Sequence, residues 1–269
     1  MTMKAMQIEN ANIASLGYRL ETADDVDRVR PLLDACGLQV REGQFDDADE
    51  QTYLVAATPA GGVAAAVGWA LYNGGASVIH SLSVAPSSRG GGLGASLLAS
   101  TMLHLREEQG VENIYIGVHR RLASYFSRLG FVGAEELPES LVDHPIFEGE
   151  FTQAMARRYG VERHGLDQSA FCLIHNTTDD ATLPVGSVFW FRQSSAVLEA
   201  QYRGGRVGRG QLLGAMEGGT LRFLWQACTT KGELMRGDGE IHISTLDDGR
   251  RELRETLGED PGELLLREF

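Results

Sequence analysis

The stretch Ser81-Leu82-Ser83-Val84-Ala85-Pro86-Ser87-Ser88-Arg89-Gly90-Gly91-Gly92-Leu93-Gly94 carries the most specific chemistry in the chain. A short apolar strand that ends in glycines and leads into an apolar helix presents successive free backbone N–H groups and the positive end of a helix dipole to an anion, most often a pyrophosphate. The backbone of Arg89, Gly90, Gly91, Gly92, Leu93, Gly94 and Ala95 is the candidate for this cradle. Absent side chains at Gly90, Gly92 and Gly94 matter more there than any side chain present. Of two other glycine loops, the P-loop fails and the dinucleotide fingerprint fits less simply. No Lys-Ser or Lys-Thr follows the glycines, as a P-loop requires, and Glu107 and Glu108, near the distance of a ribose-binding acid, fall at the end of a helical run rather than after a second strand.

A cradle needs elements to aim it. From Tyr18 the pattern predicts a strand, a helix over 24–36 with Thr22 as its cap, and strands at 52–57, 62–72 and 76–84. The glycine turn follows, then an amphipathic helix over 95–108, a strand at 113–118, a helix over 122–129 and a strand from Phe131. Residues 153–159 read as a helix and 162–169 as a polar connection. Beyond them only strand-like runs occur, at 171–175, 188–193, 196–202, 210–216, 220–227, 239–244, 250–257 and 263–269. Gly204-Gly205, Gly218-Gly219, Asp238-Gly239 and Asp248-Gly249 supply the positive φ that tight hairpins need. The expected fold is therefore a mixed α/β domain over 17–150, a helix or linker over 151–166, and an antiparallel β-barrel or strongly curved meander over 167–269 with strands enough for a core of its own. Phe189, Trp190, Phe191, Phe223 and Trp225 are read as its packing residues in preference to the lining of a barrel mouth.

The spacing Arg89-x-x-Gly92-x-Gly94, preceded by Val84-x-Pro86, resembles the coenzyme A-binding motif of the GNAT superfamily of N-acetyltransferases, and the order of elements to residue 150 resembles that fold. Phe126-Ser127-Arg128-Leu129-Gly130-Phe131 resembles its second motif, where a helix packs against the coenzyme's thiol end. With Ser81 to Pro86 and Glu136-Leu137-Pro138-Glu139-Ser140-Leu141, the texture is similar to short amino-acid acetyltransferases of the N-acetylglutamate-synthase and arsenic-resistance type. The segments 205–214 and 217–233 resemble a small family of bacterial β proteins often labelled N-acetylglutamate synthase. No residue of that half supports the label by itself.

The resemblance implies acetyl-CoA as cosubstrate, no metal, and transfer of an acetyl group to the amine of a small acceptor, such as an amino acid or an anionic analogue. That transfer needs an aligned thioester, a donor to its carbonyl oxygen and a neutral amine. In the family the strand before the cradle splays from its neighbour, which would leave backbone groups at Leu82, Ser83 and Val84 for the pantetheine arm and the acetyl carbonyl. Many relatives place a proton-donating tyrosine four residues before the glycine of Gly130-Phe131. Here that residue is Phe126, expected at the thiol end but unable to donate, with Tyr125 beside it about 100° around the helix. For a base, His80 stands four residues before Val84, on the Leu82 face of an unbroken strand, and His119 ends the next strand. Each candidate also has a plain reading as a packing or exposed residue. Arg120 and Arg121 either clamp an anionic acceptor or are simply solvated. A rival reading, opened by the missing tyrosine, is a coenzyme A-binding sensor or interaction module in which the β half recognises a ligand or partner and no transfer occurs.

Composition narrows the partners. The net charge of -13 over 269 residues argues against nucleic acid and anionic membrane. No apolar run has the length of a membrane span and the opening residues lack a secretory pattern, so the expected location is the cytoplasm. Cys36, Cys172 and Cys228 are too few for a disulfide framework and are expected to be reduced, and no zinc-ligand spacing occurs. The β half is expected to present an acceptor or to dock the chain into a homodimer.

Overall fold

The computed structural model describes residues 10–40, 43–150, 152–159, 165–177, 182–257 and 262–269. Its first half comprises α1 (Ala11–Ser15), β1 (Arg19–Ala23), α2 (Arg30–Ala35), β2 (Glu50–Ala57), β3 (Val63–Tyr72), β4 (Ala76–Val84), α3 (Leu93–Glu107), β5 (Asn113–His119), α4 (Ala123–Ser127), β6 (Val132–Gly133) and β7 (Thr152–Arg158). The strands form a seven-stranded sheet in the order β1-β2-β3-β4-β5-β7-β6. Every pairing is antiparallel except β4 with β5, which α3 connects as a crossover. Strands β2 to β4 read as nearly continuous apolar runs because both faces of the sheet are covered.

Two expectations about elements change. The helix over 24–36 is a 3₁₀ turn at Val26–Arg28 followed by the short α2, and Asp25 rather than Thr22 caps the turn, its carboxylate accepting the Asp27 N–H at 2.7 Å. The stretch 153–159, expected as a helix, is β7, paired with β5 from Asn113↔Arg158 to His119↔Thr152. Its Ala, Met, Gln and Arg residues favour helix in isolation, but the open edge of β5 offers a ladder that outweighs that weak preference.

The second half is β8 (Ser169–Asn176), β9 (Val188–Ser194), β10 (Val197–Gly204), β11 (Val207–Glu217), β12 (Thr220–Thr229), β13 (Leu234–Thr245), β14 (Arg251–Leu257) and β15 (Gly262–Glu268), closed into an eight-stranded antiparallel barrel by β15 against β8. All eight expected strands are present, in closed form. Alternation sends Phe171, Phe189, Phe191, Leu198, Phe223 and Leu253 inward. An interior cavity of about 210 Å³ remains beside Tyr202, Phe223, Trp225 and Glu255, whose carboxyl burial pushes up to about 7.

Helix α3 joins the two halves. Nearly every residue from Leu93 to Leu105 is buried, so the expected amphipathic helix turns almost no face to water. The sheet covers one side, and Ala170, Cys172, Val188 and Phe269 from the barrel complete the same core. Polar groups fix the contact: the Ser96 hydroxyl donates to the Gly186 carbonyl at 2.6 Å, and the Asn12 amide oxygen accepts the Gly205 N–H at 2.8 Å. Deeper in, Arg157 of β7 and Arg251 of β14 each donate to Glu268 Oε1 of β15 at 2.8 Å, with Arg157 and Glu268 each only 2% exposed. Burial alone would raise the Glu268 carboxyl; its bonds from Arg251 and the charge of Arg157 outweigh that and hold it at about 2.

Candidate functional site

The site begins with one backbone angle. Ser81 has φ +57°, in the left-handed region that only a few non-glycine residues occupy. It forms a β-bulge with Leu82: the β3–β4 pairs run His80↔Gly68 and then Ser83↔Ala66, so two residues of β4 stand opposite Val67 alone. Alternation reverses there. His80 stays on the face of Phe45, whereas Leu82 and Val84 pack on the α3 side. The parallel ladder to β5 also stops just before the bulge, at Ile79↔Ile116, and β5 continues along β7 instead. The β5-facing backbone of residues 80–84 is thus free of that ladder, at the head of an open cleft of about 1270 Å³. Ser83 lines this cleft, and its hydroxyl is buried with no hydrogen-bond partner.

Glycines then turn the chain into α3. Gly92 is the N-cap at φ +85°, and no side chain caps the helix, so its first-turn N–H groups are left for a ligand. Gly94 is required for space, because a Cβ there would lie 2.9 Å from Val84 Cγ2. Uncapped donors, a positive φ and a glycine against the strand fit the phosphates of a coenzyme. Arg89 does not add its side chain to them. Its Nε donates to the Val84 carbonyl at 3.0 Å and its Nη2 lies 3.8 Å from Cys36 Sγ, so it ties the turn back to β4.

Tyr125 and Phe126 of α4 form the next wall, ring centroids 5.1 Å apart and edge to face. Both face the cleft, although one helical step separates them. Burial raises the Tyr125 phenol above its usual range, outweighing nearby Arg128, and keeps it protonated at neutral pH.

The histidines lie elsewhere. His80 is 4% exposed, stacked on Phe45 at 4.0 Å and edge-on to Tyr53 at 5.3 Å, over Gly68 where any Cβ would strike its ring. Burial pulls its imidazole down to about 3, and it is not among the cleft residues. The expected common face with Leu82 fails because of the Ser81 bulge. His119 is exposed at the end of β5, where its Nδ1 accepts the Arg121 N–H at 3.2 Å. His119, Arg120 and Arg121 also fall outside the cleft lining.

The opposite wall was missed by sequence reading: Trp190 and Arg192 from β9, and Gln201 and Arg203 from β10. The signal was present in Phe189-Trp190-Phe191-Arg192 and Ala200-Gln201-Tyr202-Arg203, whose alternate members must point out of a barrel. Arg203 Nη1 donates to the Gly90 carbonyl at 2.7 Å, clasping the glycine turn. Among the described residues no group of His, Cys, Asp and Glu could hold a metal ion, and no helix is long and apolar enough to cross a membrane.

Two family models match the chain: an acetyltransferase (GNAT) domain at residues 49–133, and an avidin-like protein at 164–265. No curated protein matches it. Among solved structures, Escherichia coli ElaA is similar at 16% identity and TM-score 0.41, covering 52% of this chain and 99% of its own. An acetyltransferase from Streptococcus agalactiae is similar at 14% and 0.42, covering 53% and 98%. An acyl-CoA N-acyltransferase from Pseudomonas aeruginosa is similar at 18% and 0.40, covering 52% and 99%. The chain therefore carries an acetyltransferase domain of the GNAT fold followed by a closed barrel consistent with an avidin-like domain.

Proposed function

We propose that the chain is an acetyl-CoA-dependent N-acetyltransferase acting on a small amine, with compact amino acids and their anionic analogues as the first acceptors to try. The observation that carries this reading is the joint placement of the Ser81 bulge and the Gly92 cap in one cleft: the same turn of chain frees a strand edge and aims uncapped helix amides. Acetyl-CoA supplies, when bound, a thioester whose acyl carbon an amine can attack. The backbone from Arg89 to Ala95 holds its phosphates, and the free edge of β4 from Leu82 to Val84, with the Ser83 hydroxyl, holds the pantetheine arm and polarises the acyl oxygen. Tyr125, whose phenol is protonated at neutral pH, donates a proton to the departing sulfur, a role Phe126 cannot fill. The ammonium proton leaves to water, as neither His80 nor His119 is among the residues that line the cleft. The free cysteines Cys36, Cys172 and Cys228 fit a reducing compartment, and the cytoplasm is the proposed location.

The burial of His80 favours a second reading, a coenzyme A-binding sensor without transfer. Calorimetry with acetyl-CoA, followed by thiol release against a panel of amino acids and amines, separates the two. The enzyme is expected to bind and to release thiol only when acceptor is present, and Tyr125→Phe is expected to slow release by roughly 10²-fold at unchanged acetyl-CoA affinity. Binding without acceptor-dependent release supports the sensor; no binding sinks both.

A further inference from the structure

The cleft has a wall that the acetyltransferase fold does not supply. In β9 and β10 the outward residues fall in register: Val188 faces Arg203, Trp190 faces Gln201, and Arg192 faces Glu199. Val188 belongs to the core around α3, so its neighbour Arg203 lies at the seam between barrel and helix, with Trp190 and Gln201 one step further out. Arg203 uses Nη1 on the Gly90 carbonyl, and a Cβ on Gly92 would lie 3.7 Å from its Cβ. A guanidinium is thereby fixed beside the glycine turn whose amides await an anion. The half-buried indole of Trp190 forms the next surface along the same wall.

We infer that the barrel completes the coenzyme site, Arg203 pairing with a phosphate of the coenzyme and Trp190 giving its indole face to the adenine. This rests on the acetyltransferase reading above. A planar guanidinium held by one nitrogen keeps others for phosphate oxygens, and a purine stacks well on indole. The barrel is then part of the cofactor site and not only an appended module.

The test uses the full chain and three ligands: acetyl-CoA, its 3′-dephospho form, and acetyl-pantetheine, which lacks the nucleotide. Binding is read by calorimetry, with tryptophan fluorescence as a second readout. Arg203→Gln is expected to weaken acetyl-CoA binding by roughly tenfold and to leave acetyl-pantetheine unaffected, with Arg203→Lys recovering most of the loss through its charge. If the loss disappears with the 3′-dephospho form, the 3′-phosphate is the partner; if it persists, the pyrophosphate is. Trp190→Ala is expected to weaken both nucleotide ligands and to abolish most of the fluorescence change. Equal losses for acetyl-CoA and acetyl-pantetheine would mean that Arg203 only braces the glycine turn, and unchanged binding in folded Arg203→Gln and Trp190→Ala would also overturn the inference. A wild-type protein that binds none of the three ligands removes the acetyltransferase reading itself, and this inference with it.

Discussion

His80 illustrates how far a residue's chemistry depends on the backbone beside it. In an unbroken strand it would share a face with Leu82 and look into the cleft; with Ser81 at φ +57° it lies instead against Phe45 and Tyr53. We therefore expect His80→Ala to leave turnover per folded molecule unchanged while costing roughly 2 kcal/mol or more of stability through the cavity it opens. Chemical denaturation and active-site-normalised rates check the two halves of that statement. The same burial gives a pH signature. The imidazole titrates near 3 in the folded chain but at about 6.5 when unfolded. Between those values the unfolded state binds a proton that the folded state refuses, so His80 lowers stability progressively as pH falls from 6.5 toward 3. The denaturation midpoint of His80→Gln should fall less than that of wild type between pH 7 and pH 5.

At the scale of elements, the glycine turn works through conformation. Gly92→Val forces a β-branched side chain into φ +85°, which costs about 1–3 kcal/mol, and presses it toward Arg203. Acetyl-CoA affinity is expected to drop by roughly tenfold or more, an amount calorimetry resolves easily; full affinity in a folded variant would show that the turn does not hold the coenzyme. The turn itself was legible in the sequence, because glycines between a strand and a helix have few other uses. So were the eight barrel strands, whose alternation and glycine corners are local signals. Strand β7 was not, because its residues prefer helix and only the vacant edge of β5 makes them a strand. The bulge was not either: a serine gives no sign of the left-handed region. The covering of α3 was readable in part, since Leu93-Gly94-Ala95-Ser96-Leu97-Leu98-Ala99-Ser100 has no charged face to show to water.

In the molecule as a whole, the sheet half and the barrel meet along one seam. The barrel closes a core of its own, as its strands led one to expect, but Ala170, Cys172, Val188 and Phe269 on its outer side belong to the core around α3. An isolated fragment would carry that apolar strip exposed. Glu268→Gln removes the carboxylate shared by Arg157 and Arg251 and leaves two buried guanidinium groups without a counter-charge among the described residues. A loss of about 3–5 kcal/mol is expected, seen as earlier unfolding of both halves together; two separate transitions would mean that the seam does not couple them. The seam also sets an order of events during synthesis. Asn12 meets Gly205 across 193 positions and Arg157 meets Glu268 across 111, so the partners of the first half are made late. At ribosomal speeds of about 5–20 residues per second, the outer side of α3 waits roughly ten seconds or more for its cover. The nascent chain thus passes through a stage with the sequence of α3 made but its outer side bare, the stage at which a chaperone has most to protect.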